Sequence, residues 1–371
     1  MPSDHRSSFV SVLLTAGLLA VLGGGERAAA QCTAADINDN GVVDGADLTA
    51  LLSAWGTNNA DADINGDGVV GGTDLTSLLA SWGPCVPAVP TWATLLEAAP
   101  NPNVVTSESL RQAITATGLA WRVKDTATQI EMMLIPPGTF QMGCSASQTH
   151  PCYSGENPVH QVTLTNAFYM GRYEVTQAQW QARMGSNPSY HQSASAEVPQ
   201  AQVPLRPVEY VSWTTIQGFL TQTGMRLPTE AEWEYAYRAG TTTAFHGYTG
   251  QESGTDVDSL LTSIAWFDHS GSMSCTNPSF CQTRPVGGKF GNGFGLHDMA
   301  GNVFEWVNDW WWDDYSEGAQ TNPQGPSSGW SRVLRGGSWY DDHFNCRASS
   351  RISDGPGGAI GCFGFRVART P

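Results

Sequence analysis

An internal duplication constrains this chain more than any other feature. Residues 35–56, ADINDNGVVDGADLTALLSAWG, recur as residues 62–83, ADINGDGVVGGTDLTSLLASWG, displaced by 27 positions. In the first copy Asp36, Asn38, Asn40 and Asp47 take loop positions 1, 3, 5 and 12, with Gly41 at position 6. In the second copy the same positions carry Asp63, Asn65, Asp67 and Asp74, with Gly68 at the turn. Calcium takes six to eight hard oxygens at about 2.3–2.6 Å, and a tight loop can supply them from alternate residues. The carbonyls of Val42 and Val69 stand at position 7 and Asp44 at position 9, where Gly71 leaves the second loop to water. Beyond each loop, Leu48, Leu51, Leu52 and Trp55, then Leu75, Leu78, Leu79 and Trp82, recur at 0, 3, 4 and 7. That spacing predicts two short helices that bury their stripes against each other.

Residues 31–86 resemble the dockerin type I family, which shares the duplicated loop-plus-helix plan. The resemblance implies calcium as cofactor and a cohesin-like scaffold domain as partner. Upstream, an apolar run over residues 9–22 leads to three alanines before Gln31, which predicts a cleaved signal peptide over residues 1–30. The run is too short for a bilayer span, which needs about 20 residues, so the mature chain is expected to carry no transmembrane span. It is expected to be secreted or extracytoplasmic, periplasmic or at the cell surface.

With 34 acidic against 18 basic residues the net charge is -16, which argues against nucleic acid or an anionic membrane as partner. All eight cysteines follow residue 30, and an oxidising compartment favours their pairing. Their grouping along the chain suggests Cys32–Cys85, Cys144–Cys152, Cys275–Cys281 and Cys346–Cys362.

A proline-bearing linker with short helices at 92–99 and 107–117 is expected over residues 87–119, followed by a strand at 130–135. From residue 120 to 371, Gly, Pro and most of the 14 tryptophans suggest short elements joined by irregular loops. Helices are expected at 176–184 and 214–222. The clearest one, 228–239, is capped by Thr229, with Trp233, Ala236 and Tyr237 facing inward.

The blocks MMLIPPGTFQMG (132–143), GMRLPTEAEWEYAYRAG (224–240), GNVFEW (301–306), RVLRGGSW (332–339) and GFRVAR (364–369) resemble the formylglycine-generating enzyme, or sulfatase-modifying factor, family. The resemblance implies an α+β, C-type-lectin-like fold with little regular secondary structure. It also implies oxidation of a sulfatase cysteine by dioxygen at a copper ion held between two cysteines, a pairing that suits soft thiolates. Here Asp341 stands where the first of those cysteines belongs, and an ungapped reading puts Cys346 at the second. One thiol of the pair is thus missing, and bound copper is not expected.

By the same resemblance, Glu305 with the carbonyls of Ala300, Gly301 and Val303 would hold a structural calcium ion. The residues themselves leave open that Glu305 pairs with a buried arginine such as Arg335 or Arg366. Ser338, Trp339, Tyr340, Asp341, Phe344 and Cys346 would border the family's substrate groove, a surface suited to a peptide or glycan. The leading expectation is a non-catalytic, scaffold-attached recognition protein. The alternative is an oxidase of the formylglycine-generating type, or another metal-dependent oxidative enzyme on that fold.

Overall fold

The structure, a computed structural model, describes residues 34–371 apart from 39–40, 86, 147, 149–150, 249, 252, 257 and 269–281. The expected signal peptide, Cys32, Asn40 and the Cys275–Cys281 pair lie outside the described residues. The chain divides between Cys85 and Val86 into two compact units.

In the first unit β1 (Val42–Val43) leads into α1 (Gly45–Ser53), and α2 (Gly72–Ala80) leads into β2 (Gly83–Pro84). The strands pair antiparallel, Val42 opposite Pro84 and Val43 opposite Gly83. Asp44 caps α1 by accepting from the Ala46 amide at 2.7 Å, while Asp47 accepts from the Asp44 amide at 2.9 Å. Ala35, Val43, Leu51, Ala62, Val70 and Leu78 form the core. The expected stripes are therefore only half buried. Leu51 and Leu78 point inward, whereas Leu52, Trp55, Leu79 and Trp82 are exposed, because six small apolar side chains already fill so small a core.

The second unit begins with β3 (Ala93–Glu97), α3 (Glu108–Thr115), β4 (Arg122–Asp125) and β5 (Glu131–Ile135). The helix expected at 92–99 is thus a strand, because β4 takes its backbone into an antiparallel ladder from Ala93 opposite Asp125 to Glu97 opposite Arg122. Residues 93–125 consequently belong to the domain and are not linker. β6 (Gly138–Met142), β7 (His160–Leu164) and β8 (Phe168–Gly171) follow, then the helices α4 (Gln177–Met184), α5 (Trp213–Thr223) and α6 (Glu230–Arg238). The remainder is strand: β9 (Ala265–Trp266), β10 (Ala300–Gly301), β11 (Phe304–Trp310), β12 (Gln320–Thr321), β13 (Arg332–Arg335), β14 (Arg351–Asp354), β15 (Phe363–Gly364) and β16 (Ala368–Arg369).

Strand order is β16-β8-β5-β4-β3 in one sheet, β14-β13-β11-β15 in a second and β12-β7-β6 in a third. α6 closes a reciprocal cap in which Thr229 Oγ1 accepts from the Glu232 amide at 3.1 Å and Glu232 accepts from the Thr229 amide at 2.9 Å. Trp233, Ala236 and Tyr237 are fully buried on it, as the stripe predicted.

Buried arginines take the place of the missing regular ladders. Arg335 donates to the carbonyls of Ser350 and Ala348 and pairs with Glu234. Arg351 spans Glu230 with two bonds of 2.8 Å and donates to the carbonyls of Gly155 and Trp312. Arg238 ties Glu234 to the carbonyls of Gly143 and Thr243. An unpaired carbonyl buried in a loop would cost as much as a lost hydrogen bond, and one planar guanidinium satisfies several at once.

Candidate functional site

The Arg-Gly-Gly-Ser turn follows the end of β13. Gly336 and Gly337 adopt φ of 96° and 74°, open to glycine and strained for other residues. A Cβ on Gly337 would stand 2.8 Å from Cys346 Sγ. The turn buries Ser338, whose hydroxyl donates to Asp341, and Asp341 accepts from Asn345 Nδ2 at 3.1 Å. Asp341 is thus engaged on both oxygens, and burial pushes its pKa up to about 6 against those two bonds.

Asp342 caps the short 3-10 turn His343–Cys346 by accepting from the Phe344 amide at 3.0 Å. Trp339 is anchored by donating from Nε1 to the Gly361 carbonyl at 3.1 Å. Its ring meets His191 edge-on at 5.1 Å and Tyr340 at 5.5 Å. Ser338, Trp339, Tyr340, Asp341, Phe344 and Cys346, expected to border a groove, all lie on the segment that follows β13.

Sequence reasoning missed the residues that pack against Trp339. Tyr190, 76 % exposed, stacks edge-on against His191. The His191 amide donates to Glu209 Oε1 at 2.7 Å. Among the described residues Glu209 Oε2 and His191 Nε2 are buried without partners, and burial raises the Glu209 pKa to about 7 while lowering that of His191 to about 4. No motif spacing marks these three residues, which lie on the long loop between α4 and α5.

Cys346 and Cys362 are both free and buried, so the expected Cys346–Cys362 disulfide does not form. Nearness in sequence does not align the Cβ vectors that a disulfide needs. The Cys346 sulfur turns toward the Asp342 carbonyl at 3.8 Å, while Cys362 neighbours Ser338. Burial, reinforced by Asp341 and other carboxylates, pushes Cys362 up to about 12 and Cys346 well above the ordinary thiol range. Their burial disfavours the thiolate that nucleophilic or copper chemistry uses.

Elsewhere Cys144–Cys152 is a disulfide as expected. Together with Glu156 it makes the one metal-type cluster among the described residues, but its sulfurs are bonded to each other. Both Glu156 oxygens take Arg347, at 2.6 and 2.7 Å. The copper-binding pair is incomplete. Cys85 is disulfide-bonded, though the expected partner Cys32 is not among the described residues.

At Glu305, where calcium with Ala300, Gly301 and Val303 was one expectation and a buried arginine the other, a guanidinium is in place. Arg366 holds both Glu305 oxygens at 2.6 Å and Trp233 Nε1 donates to one of them at 2.7 Å. The guanidinium neutralises the buried carboxylate. Glu305 pairs with Arg335 only as a strand neighbour; its ionic partner is Arg366.

In the duplicated module the two loops share one bonding pattern. Gly41 donates to Asp36 at 2.6 Å and Gly68 to Asp63 at 2.7 Å. Asn38 and Asp44 donate to the two oxygens of Asp47, as Asn65 and Gly71 do to those of Asp74. The second loop adds a 2.8 Å bond from the Asp67 amide to Asn65. The side chains of Asp36, Asp47, Asp63, Asn65, Asp67 and Asp74 thus accept from loop backbone amides, and Asn65 Nδ2 donates to Asp67 at 3.0 Å.

A mixed α+β core with modest regular secondary structure, turning on Arg-Gly-Gly-Ser, defines the fold of formylglycine-generating enzymes. Residues 118–371 match the family described as sulfatase-modifying factor enzyme 1-like domain, and the chain belongs to that family. It is 32% identical to the formylglycine-generating enzyme of Streptomyces coelicolor, over 68% of this chain and 92% of the relative. It is 30% identical to that of Mus musculus, over 64% and 74%. Among solved structures it resembles Treponema denticola variable protein 1, with TM-score 0.54, 31% identity and coverage of 65% and 95%. PvdO from Pseudomonas aeruginosa is similar, with TM-score 0.53, 27% identity and coverage of 67% and 98%.

Proposed function

We propose that this is an exported recognition protein, in which a formylglycine-generating-enzyme-type domain presents a binding groove without running the oxidase reaction. One observation carries the reading: Cys346 and Cys362 are buried, while Asp341 stands where the resemblance puts the family's first cysteine. Above them, the exposed rings of Tyr190 and Tyr340 suit an extended peptide or a glycan. The protein, with copper added, is to be given a peptide containing Cys-x-Pro-x-Arg while oxygen uptake and aldehyde formation are followed. No turnover is expected, and sustained turnover would overturn the reading. The free state of Cys346 and Cys362 favours one second reading, a divergent thiol-dependent oxidase, which the same assay would reveal.

The module at residues 31–86 serves in this proposal as a calcium-dependent dockerin-like tether. Asp36, Asn38, Asn40, Val42, Asp44 and Asp47 would hold one ion, and Asp63, Asn65, Asp67, Val69 and Asp74 the second. The repeated exposed pairs Leu52 with Trp55 and Leu79 with Trp82 support a cohesin-like protein partner. Calorimetry of the full chain should show calcium uptake that Asp47→Ala and Asp74→Ala together abolish. The disulfide at Cys144–Cys152 supports an extracytoplasmic location. Among the described residues no helix is long and apolar enough to cross a membrane.

A further inference from the structure

Beyond the groove, the second unit holds a cavity of about 370 Å³ between the start of α6, the end of β11 and the loop around β12. β11 and β13 run antiparallel, with Trp310 opposite Arg332 and Glu305 opposite Arg335. The cavity therefore opens at the Trp310 end, whereas Ser338 follows the other end of the pair.

At its base lies Asp309, 4% exposed. Oδ2 accepts from the Glu230 amide at 2.8 Å, and no protein donor among the described residues reaches the other oxygen. Gly325, with φ of 66°, keeps that second oxygen accessible, because a Cβ there would stand 3.0 Å from it. The neighbouring Glu230 is already saturated by Arg351 and the Tyr315 hydroxyl. Asp309 lines the cavity, so a ligand hydroxyl can reach that second oxygen.

The remaining walls suit one ligand chemistry. Trp312, 64% exposed, offers an open indole face, and Ser316, Gln320 and Gln324 offer hydroxyl and amide groups. The cavity's one arginine, Arg351, is spent on Glu230, and the exposed carboxylate of Asp314 shares the wall with His160, so an anion is disfavoured. Burial and the adjacent Glu230 push the Asp309 pKa up to about 8, so near neutral pH it is largely a neutral acid that can give and accept a hydrogen bond. A ligand with an apolar face for the indole and hydroxyls for the acid and amides is a sugar ring, and a volume of roughly 300 Å³ or more accommodates one.

We propose that this cavity is a binding site for a neutral pyranose, with Asp309 reading a ring hydroxyl and Trp312 stacking on the ring face.

The test titrates the full chain with the methyl pyranosides of glucose, galactose, mannose and N-acetylglucosamine, followed by tryptophan fluorescence and saturation-transfer NMR. Galacturonate and choline serve as the anionic and cationic probes. At least one neutral pyranoside should bind, with affinity reduced about tenfold or more in Asp309→Asn and about three- to tenfold in Trp312→Ala. Trp312 is exposed, so its replacement keeps the inference testable if the Asp309 variant fails to fold. Tyr190→Ala, in the other groove, should leave this binding unchanged while impairing any binding there. Binding of none of the four pyranosides, binding of galacturonate or choline alone, or pyranoside binding indifferent to Trp312→Ala would each overturn the proposal.

Discussion

Replacing Glu305 by glutamine separates an arginine-paired core from an ion-bound one. Glu305 and Arg366 are both almost wholly inaccessible and share two bonds of 2.6 Å. Glutamine keeps the shape and one acceptor for Trp233, but leaves the Arg366 charge without its closest counter-ion. Breaking one side of a buried pair costs about 3–5 kcal/mol. Glu174 and Asp298 also act on Arg366 and recover part of the attraction, so the low end, about 3 kcal/mol, is expected. At about 2.1 cal/mol/K of unfolding entropy per residue, the second unit, Val86–Pro371, should melt roughly 5 °C lower. Differential scanning calorimetry of the full chain resolves this. The double variant Glu305→Leu with Arg366→Met should recover much of the loss, because a well-packed apolar pair can match a buried ion pair. A chelator should leave the wild-type transition of this unit unmoved. A Glu305→Gln shift under about 1 °C, or a chelator effect on that transition, would refute the arginine account.

Other consequences concern protons, thiols and backbone. Glu209 and Asp309, raised to about 7 and 8, hold protons in the folded state that the unfolded chain has released, so stability should fall as pH rises from about 6.5 to 8. The slope is at most about 1.4 kcal/mol per pH unit for each group, and Asp309→Asn should flatten the later part in denaturant titrations. Below that window the histidines depressed to about 4, His191, His246 and His297, act in the opposite sense. Iodoacetamide should label Cys346 and Cys362 only after denaturation, and rapid labelling of either in native protein would contradict their burial. Gly337→Ala should destabilise by more than the ~1–2 kcal/mol of a left-handed residue, since its methyl meets the Cys346 sulfur; unchanged melting would disprove the turn geometry.

The parts of this protein legible in sequence are those whose chemistry is local. The loop oxygens of Asp36 and Asp47, the Thr229 cap and the inward stripe of α6 all depend on spacings within a dozen residues. What escaped depends on contacts across the chain. β3 is a strand because β4 lies beside it, and its own residues read equally well as helix. Glu305 met a guanidinium 61 residues away, and spacing cannot distinguish that from an ion. Cys346 and Cys362 are neighbours in sequence whose side chains answer to different surroundings. His191 reaches Trp339 through a loop whose path is set by packing alone.

The guanidinium groups that fasten loop carbonyls carry a consequence for how this domain can change. Every amino acid presents the same main-chain oxygen, so Arg335, Arg351 and Arg238 grip the loops without regard to what those loops spell. Side chains between the gripped points can be exchanged with little penalty to the framework. A scaffold tied in this way is free to diversify what its surface reads while its interior stays constant.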